Sequence, residues 1–191
     1  MSTIVPAVGR LGHLGRLTIH RSVFAQRFEA GCATSRCDAS CCALGVLLDV
    51  RERDRVLAEA ERVRALMTPG QDHDPAHWFS REERVDRDFP SGRASHTRAG
   101  HDGCVFLDGD RRCTLHRAGL KPFFCTVFPL TVMDAVLLLE AETDGLSRPT
   151  CCAPKPGGPL TVFDVCGFEL DYALGPDGVV DLRRLAEGRR L

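Results

Sequence analysis

The chain has 191 residues, of which 43% are hydrophobic and 27% charged, with a formal net charge of −1. That is long enough for one domain with a real hydrophobic core, and the near-neutral balance gives no electrostatic case for nucleic acid or an anionic membrane as partner. Arginine carries nearly all the positive charge, Lys121 and Lys155 being the only lysines, and no stretch approaches the roughly 20 apolar residues that cross a bilayer.

Met1 to Arg10 lacks the basic start and apolar run of a secretory signal, so the expected address is the cytoplasm. Leu17-Thr-Ile-His20 and Val23-Phe24 are short apolar pieces that suit a strand. A first cysteine group follows, Cys32-x4-Cys37-x3-Cys41-Cys42, and then the apolar run Ala43 to Leu48, short enough for another strand. Asp49 and Glu52 stand as a capping-box variant, and Val56, Leu57, Ala60, Val63 and Met67 repeat at helical spacing. A helix is predicted over 50–67, stopped by Thr68-Pro69-Gly70.

Regularity fades from Thr68 to Gly103, apart from a short helix suggested by Ser80 and Glu83. Cys104-Val-Phe-Leu107, the turn Asp108-Gly109-Asp110 and Arg112-Cys-Thr-Leu-His116 then read as a hairpin. Pro122 suits the first position of a short helix carrying Phe123, Phe124 and Cys125. Leu130 to Met133 and Ala135 to Leu139 look like two strands joined tightly at Asp134. Gly145 to Pro159, rich in Pro and Gly, holds Cys151-Cys152. A helix near Phe163–Leu174 carries Cys166, and Gly175-Pro-Asp-Gly178 turns the chain into a last basic helix, Val180–Leu185. The expected fold is α+β, a small loop-rich domain organised around a cysteine cluster over residues 32–174. An N-terminal segment, 1–31, precedes it and a C-terminal helix and tail, 175–191, follow.

Ten cysteines are the outlying feature. In a reducing cytosol they point to metal ligands or redox groups rather than a disulfide framework. Thiolates suit zinc, copper(I) and iron–sulfur clusters, and one structural zinc or one common cluster takes four ligands. Adjacent side chains diverge in both strand and helix, so Cys41 with Cys42, like Cys151 with Cys152, is a poor pair for one ion. Cys37 and Cys41, four apart, are the better pair if they share a helical turn. His101-x2-Cys104 and Cys113-x2-His116 offer a separate four-ligand zinc set. The spacings match neither common ferredoxin run. Trp78 with Phe79, and Phe123, Phe124 and Phe128, read as core shielding the site from water.

The first group ending in Cys41-Cys42, then Gly103-Cys-Val-Phe-Leu-Asp-Gly-Asp-Arg-Arg-Cys-Thr-Leu-His116, then Lys121-Pro-Phe-Phe-Cys-Thr-Val-Phe-Pro129, resembles the YkgJ-like cysteine-cluster family, often labelled CxxCxxCC. The resemblance covers roughly Cys32 to Cys166. It implies a zinc- or iron-chelating module, an iron–sulfur cluster such as 4Fe-4S included. By position, the implied ligands are Cys32, Cys37, Cys41, Cys42, Cys104, Cys113 and Cys125, with one or more of Cys151, Cys152 and Cys166. The first group departs from the label, with gaps of four and three instead of two and two. Some relatives carry the module in flagellin lysine methylases, which keeps an oxygen-sensitive group transferase open as an alternative. No Gly-rich phosphate loop and no C-x3-C-x2-C radical motif supports that alternative in the residues themselves.

Overall fold

The computed structural model describes residues 2–31, 37, 39–143 and 153–188, and the fold is α+β. In chain order it runs β1 (Thr3–Pro6), β2 (Arg16–Ile19), α1 (Ser22–Ala25) and β3 (Arg27–Phe28), then β4 (Leu47–Asp49), α2 (Val50–Ala58) and α3 (Ala60–Leu66). Four short strands follow: β5 (Arg84–Val85), β6 (Arg93–His96), β7 (Ala99–Gly100) and β8 (Gly103–Cys104). The chain continues with α4 (Thr114–Arg117), α5 (Phe123–Val127), β9 (Leu130–Met133), β10 (Val136–Leu139), β11 (Leu160–Thr161), α6 (Val162–Val165) and α7 (Gly167–Glu187).

These elements form two compact units, one from residues 1–36 and 127–191, the other from 37–126. In the first, a sheet of order β1-β2-β10-β9 joins the two ends of the chain, with β10 parallel to β2 and antiparallel to β9. The N-terminal segment is therefore not a separate appendage: its β2 pairs with β10 and its β3 with β11. Leu17, Ile19, Leu137 and Leu139 are buried, as alternation on a one-sided sheet requires. The expected tight joint is present, with Asp134 and Ala135 both at positive φ (52° and 58°), the backbone of a two-residue hairpin turn. Val23-Phe24, expected in a strand, lies in α1 instead. The expected break after Leu174 also holds, since α7 is interrupted by non-helical Gly175.

In the second unit the predicted 50–67 helix is present but divides at Glu59, whose φ of −102° and ψ of 19° tighten the turn between α2 and α3. Its capping box is closed as expected. Two other expectations fail. No helix follows Ser80; the Ser80 hydroxyl accepts only the Glu82 N–H, and Glu83 is instead drawn into ion pairs with Arg53 and Arg93. The 104–116 hairpin shrinks to a single bridge, Leu107 to Cys113, because β8 pairs with β7 and Thr114–Arg117 coils into α4.

The core of this unit gathers Leu48, Val56, Val63, Met67, Trp78, Phe79, Phe106, Leu115, Ala118 and Leu120, with Cys104 and Cys113 packed against it. Trp78 meets Phe106 edge-on at 5.4 Å, and its indole N–H donates to the Asp72 carbonyl at 2.7 Å. The ring's polar edge is thus satisfied while its face is fully buried.

Candidate metal centre

Four stretches of the second unit deliver its cysteines. The first is a tight turn over Ser40–Cys42, entered through Ala39 in the left-handed region (φ 54°). Cys42 N–H donates to the Ala39 carbonyl at 2.9 Å, and Ala39 N–H donates to the Cys37 sulfur at 3.4 Å. The turn sets the Cys41 and Cys42 sulfurs 3.9 Å apart. Four thiolates about 2.3 Å from one zinc lie about 3.8 Å from each other. Strand or regular helix geometry would splay such a pair; this tight turn does not.

Cys104 stands at the end of β8, where the chain passes close to that turn. Gly103 has φ +108°, and a Cβ there would sit 3.2 Å from the Cys42 carbonyl oxygen and 3.5 Å from the Ala43 Cα. Glycine is what lets the two backbones approach. The loop from Leu107 to Cys113 is closed by Asp108, whose Oδ1 accepts the N–H groups of Asp110 (3.0 Å) and Arg112 (2.8 Å) while Oδ2 pairs with Arg117 at 3.2 Å. Cys113 precedes α4, and Cys125 lies within α5.

The Cys104, Cys113 and Cys125 thiols each feel a neighbouring cysteine. Burial pushes the Cys104 and Cys113 thiols up, and neighbouring sulfurs add to it, Cys113 for the first and Cys41 for the second. Cys125 is held well above its ordinary range by burial first, then by Cys113, Cys104 and Cys41. Other groups favour thiolate. The Phe106 amide faces the Cys104 sulfur; the His116 and Leu115 amides face Cys113 without closing a capping bond. The Lys121 ammonium favours the anion at both Cys113 and Cys125. Thr97 Oγ1 accepts both the Val46 N–H at 2.8 Å and the Cys104 thiol at 3.5 Å. Thr97 is buried, and nothing in the sequence pattern marks it.

Burial and neighbouring sulfurs thus favour the neutral thiols, while backbone amides and the Lys121 ammonium oppose them by favouring the anion. Among the described residues, no group of three or more His, Cys, Asp or Glu side chains is closed up as a ready-made metal site. The four thiols form a neighbourhood, not a finished coordination sphere.

The chain matches no protein-family model, no curated protein and no solved structure. The site therefore stands on its own residues. His101 and His116 are exposed, and what His116 turns toward Cys113 is its backbone N–H, not its ring. Cys166 is buried in the other unit, after α6. Cys32, Cys151 and Cys152 lie outside the described residues. Cys42, Cys104, Cys113 and Cys125 are free thiols.

Proposed function

We propose that this chain is a YkgJ-like metal-binding protein of the cytoplasm that chelates zinc or iron through clustered thiolates. Cys41, Cys104, Cys113 and Cys125 are its first candidates, with Cys42 beside Cys41. The observation that carries the reading is the gathering of cysteines from separate chain stretches: the Cys41 and Cys42 sulfurs lie 3.9 Å apart, Gly103 brings the Cys104 backbone against that turn, and Cys104 and Cys113 pack on one core. A buried packing role would not turn amides, a hydroxyl and an ammonium toward sulfur. No helix among the described residues is long and apolar enough to cross a membrane. A bound ion would take four thiolates in a tetrahedral set, and a cluster would take the same number.

Anaerobic purification with metal analysis tests this. We expect stoichiometric zinc in a colourless protein, or iron with sulfide in a brown one. A well-folded, metal-free chain with ten titratable thiols would remove the reading.

A further inference from the structure

The helix that carries Cys125 donates a hydrogen bond at its amino end to a distant side chain. α5 opens directly after Lys121-Pro122, and neither residue has a short side chain with an oxygen to offer the first amides. The Phe123 N–H is instead taken by Glu52 Oε1 at 2.8 Å, a carboxylate 71 residues earlier. Glu52 already serves α2: its Oε2 accepts the Asp49 N–H at 3.2 Å and closes the capping box. One side chain therefore satisfies the amino ends of two helices. The α2 end is itself anchored, since Asp49 Oδ1 accepts the Arg51 N–H and Oδ2 the Ser91 N–H, both at 2.7 Å.

A helix of five residues does not hold itself in water. Within α5, Thr126 closes back on the Pro122 carbonyl through both its N–H and its hydroxyl, each at 2.9 Å. That fixes the turn's shape but not its place. Glu52 ties it to α2, through an amide two residues before Cys125. Burial pushes the Glu52 carboxyl up, while the two amides it accepts and Arg55 hold it down.

We propose that Glu52 is a positioning residue of the metal centre: by capping α5 through the Phe123 N–H it sets where Cys125 stands relative to Cys104 and Cys113. The proposal rests on the metal-binding reading above, and its test separates the two. Glu52→Asp is the informative variant. Aspartate at the third helical position closes a capping box elsewhere in this chain, Asp164 with Thr161, so the local box survives. One methylene shorter, it no longer reaches Phe123.

The full-length reduced chain is titrated with cobalt(II), whose sulfur-to-metal charge-transfer absorption reports thiolate ligation. In a second arm, the metal-free chain is alkylated and the Cys125 rate is followed by peptide mass. Glu52→Asp is expected to lower cobalt affinity by about tenfold, weaken the charge-transfer band, and speed alkylation of Cys125, with wild-type helix content. Wild-type cobalt affinity together with wild-type Cys125 alkylation overturns the proposal. If the wild-type chain takes no cobalt, the metal reading falls and the alkylation arm alone decides the role of Glu52. If Glu52→Asp does not fold, Phe123→Pro is compared with Phe123→Ala. Both lose the ring, but only the proline lacks the amide, so equal Cys125 rates in the two overturn the proposal.

Discussion

Thr97 illustrates how a single hydroxyl can link a backbone turn to a sulfur. Its oxygen accepts both the Val46 N–H and the Cys104 thiol. We predict that Thr97→Val, which keeps the shape and removes the hydroxyl, costs about 1–3 kcal/mol because two half-buried donors lose their acceptor together. Urea unfolding of the reduced metal-free chain measures it, and Thr97→Ser should recover most of the loss. A second residue prediction sits beside it. Gly45 has φ +74°, and a Cβ there would fall 2.5 Å from the Thr97 carbonyl oxygen. Gly45→Ala should therefore destabilise by more than about 1 kcal/mol, and an unchanged urea midpoint would contradict the packing described. Neither residue was legible in advance. Their importance comes from a contact across 51 positions, Val46 to Thr97, in a stretch with no periodic pattern of its own. The cysteines, by contrast, stand out in the sequence by number and grouping, because residue type is visible there even where conformation is not.

Among the elements, those with a long repeat were readable and those with a short one were not. The Val56, Val63 and Met67 stripe marks the α2–α3 helix pair because all three side chains meet the core. The break at Glu59 escapes such a reading, since it rotates the chain without moving the stripe off the core. Strands β5, β7 and β8 have two residues each, too few for alternation to register. The mistaken hairpin has a specific cause. Cys113-Thr-Leu favours a strand locally, but the Thr114 N–H bond to the Phe106 carbonyl (2.8 Å) is the last ladder bond of the Leu107–Cys113 bridge, and from Thr114 the chain coils into α4. The aromatic cluster that Cys104 and Cys113 lean on is the element-scale support of the site. We predict that Trp78→Ala costs about 3–5 kcal/mol and raises the reactivity of both thiols toward alkylating reagents. Loss of stability without any change at Cys104 and Cys113 would mean that the core and the thiols are independent.

At the scale of the molecule, six of the seven described cysteines belong to the unit formed by 37–126. A metal bound there should couple to the folding of that unit, with a structural zinc contributing about 10–16 kcal/mol. Proton linkage gives this a distinctive signature. The ordinary thiol value is 9.0, and Cys104, Cys113 and Cys125 are all raised above it in the fold. Below about pH 9 the metal-free chain keeps these protons whether folded or not, so they leave its stability flat. As pH climbs past that value the unfolded chain ionises first. The folded state then binds more protons than the unfolded one, and stability falls with rising pH. With metal the sign reverses, because each ligating sulfur must shed its proton before it binds. Zinc-loaded protein should therefore gain stability from about pH 6 to 8, as protons compete less for the sulfurs. Thermal unfolding across pH 6 to 10, with zinc and with a chelator, measures both curves. A zinc curve that rises over about pH 6 to 8 while the chelated one stays flat, and a chelated curve that falls only above about pH 9, are the expected result. A zinc-treated chain whose midpoint follows the chelated one at every pH would show that these thiols, however crowded, hold no ion.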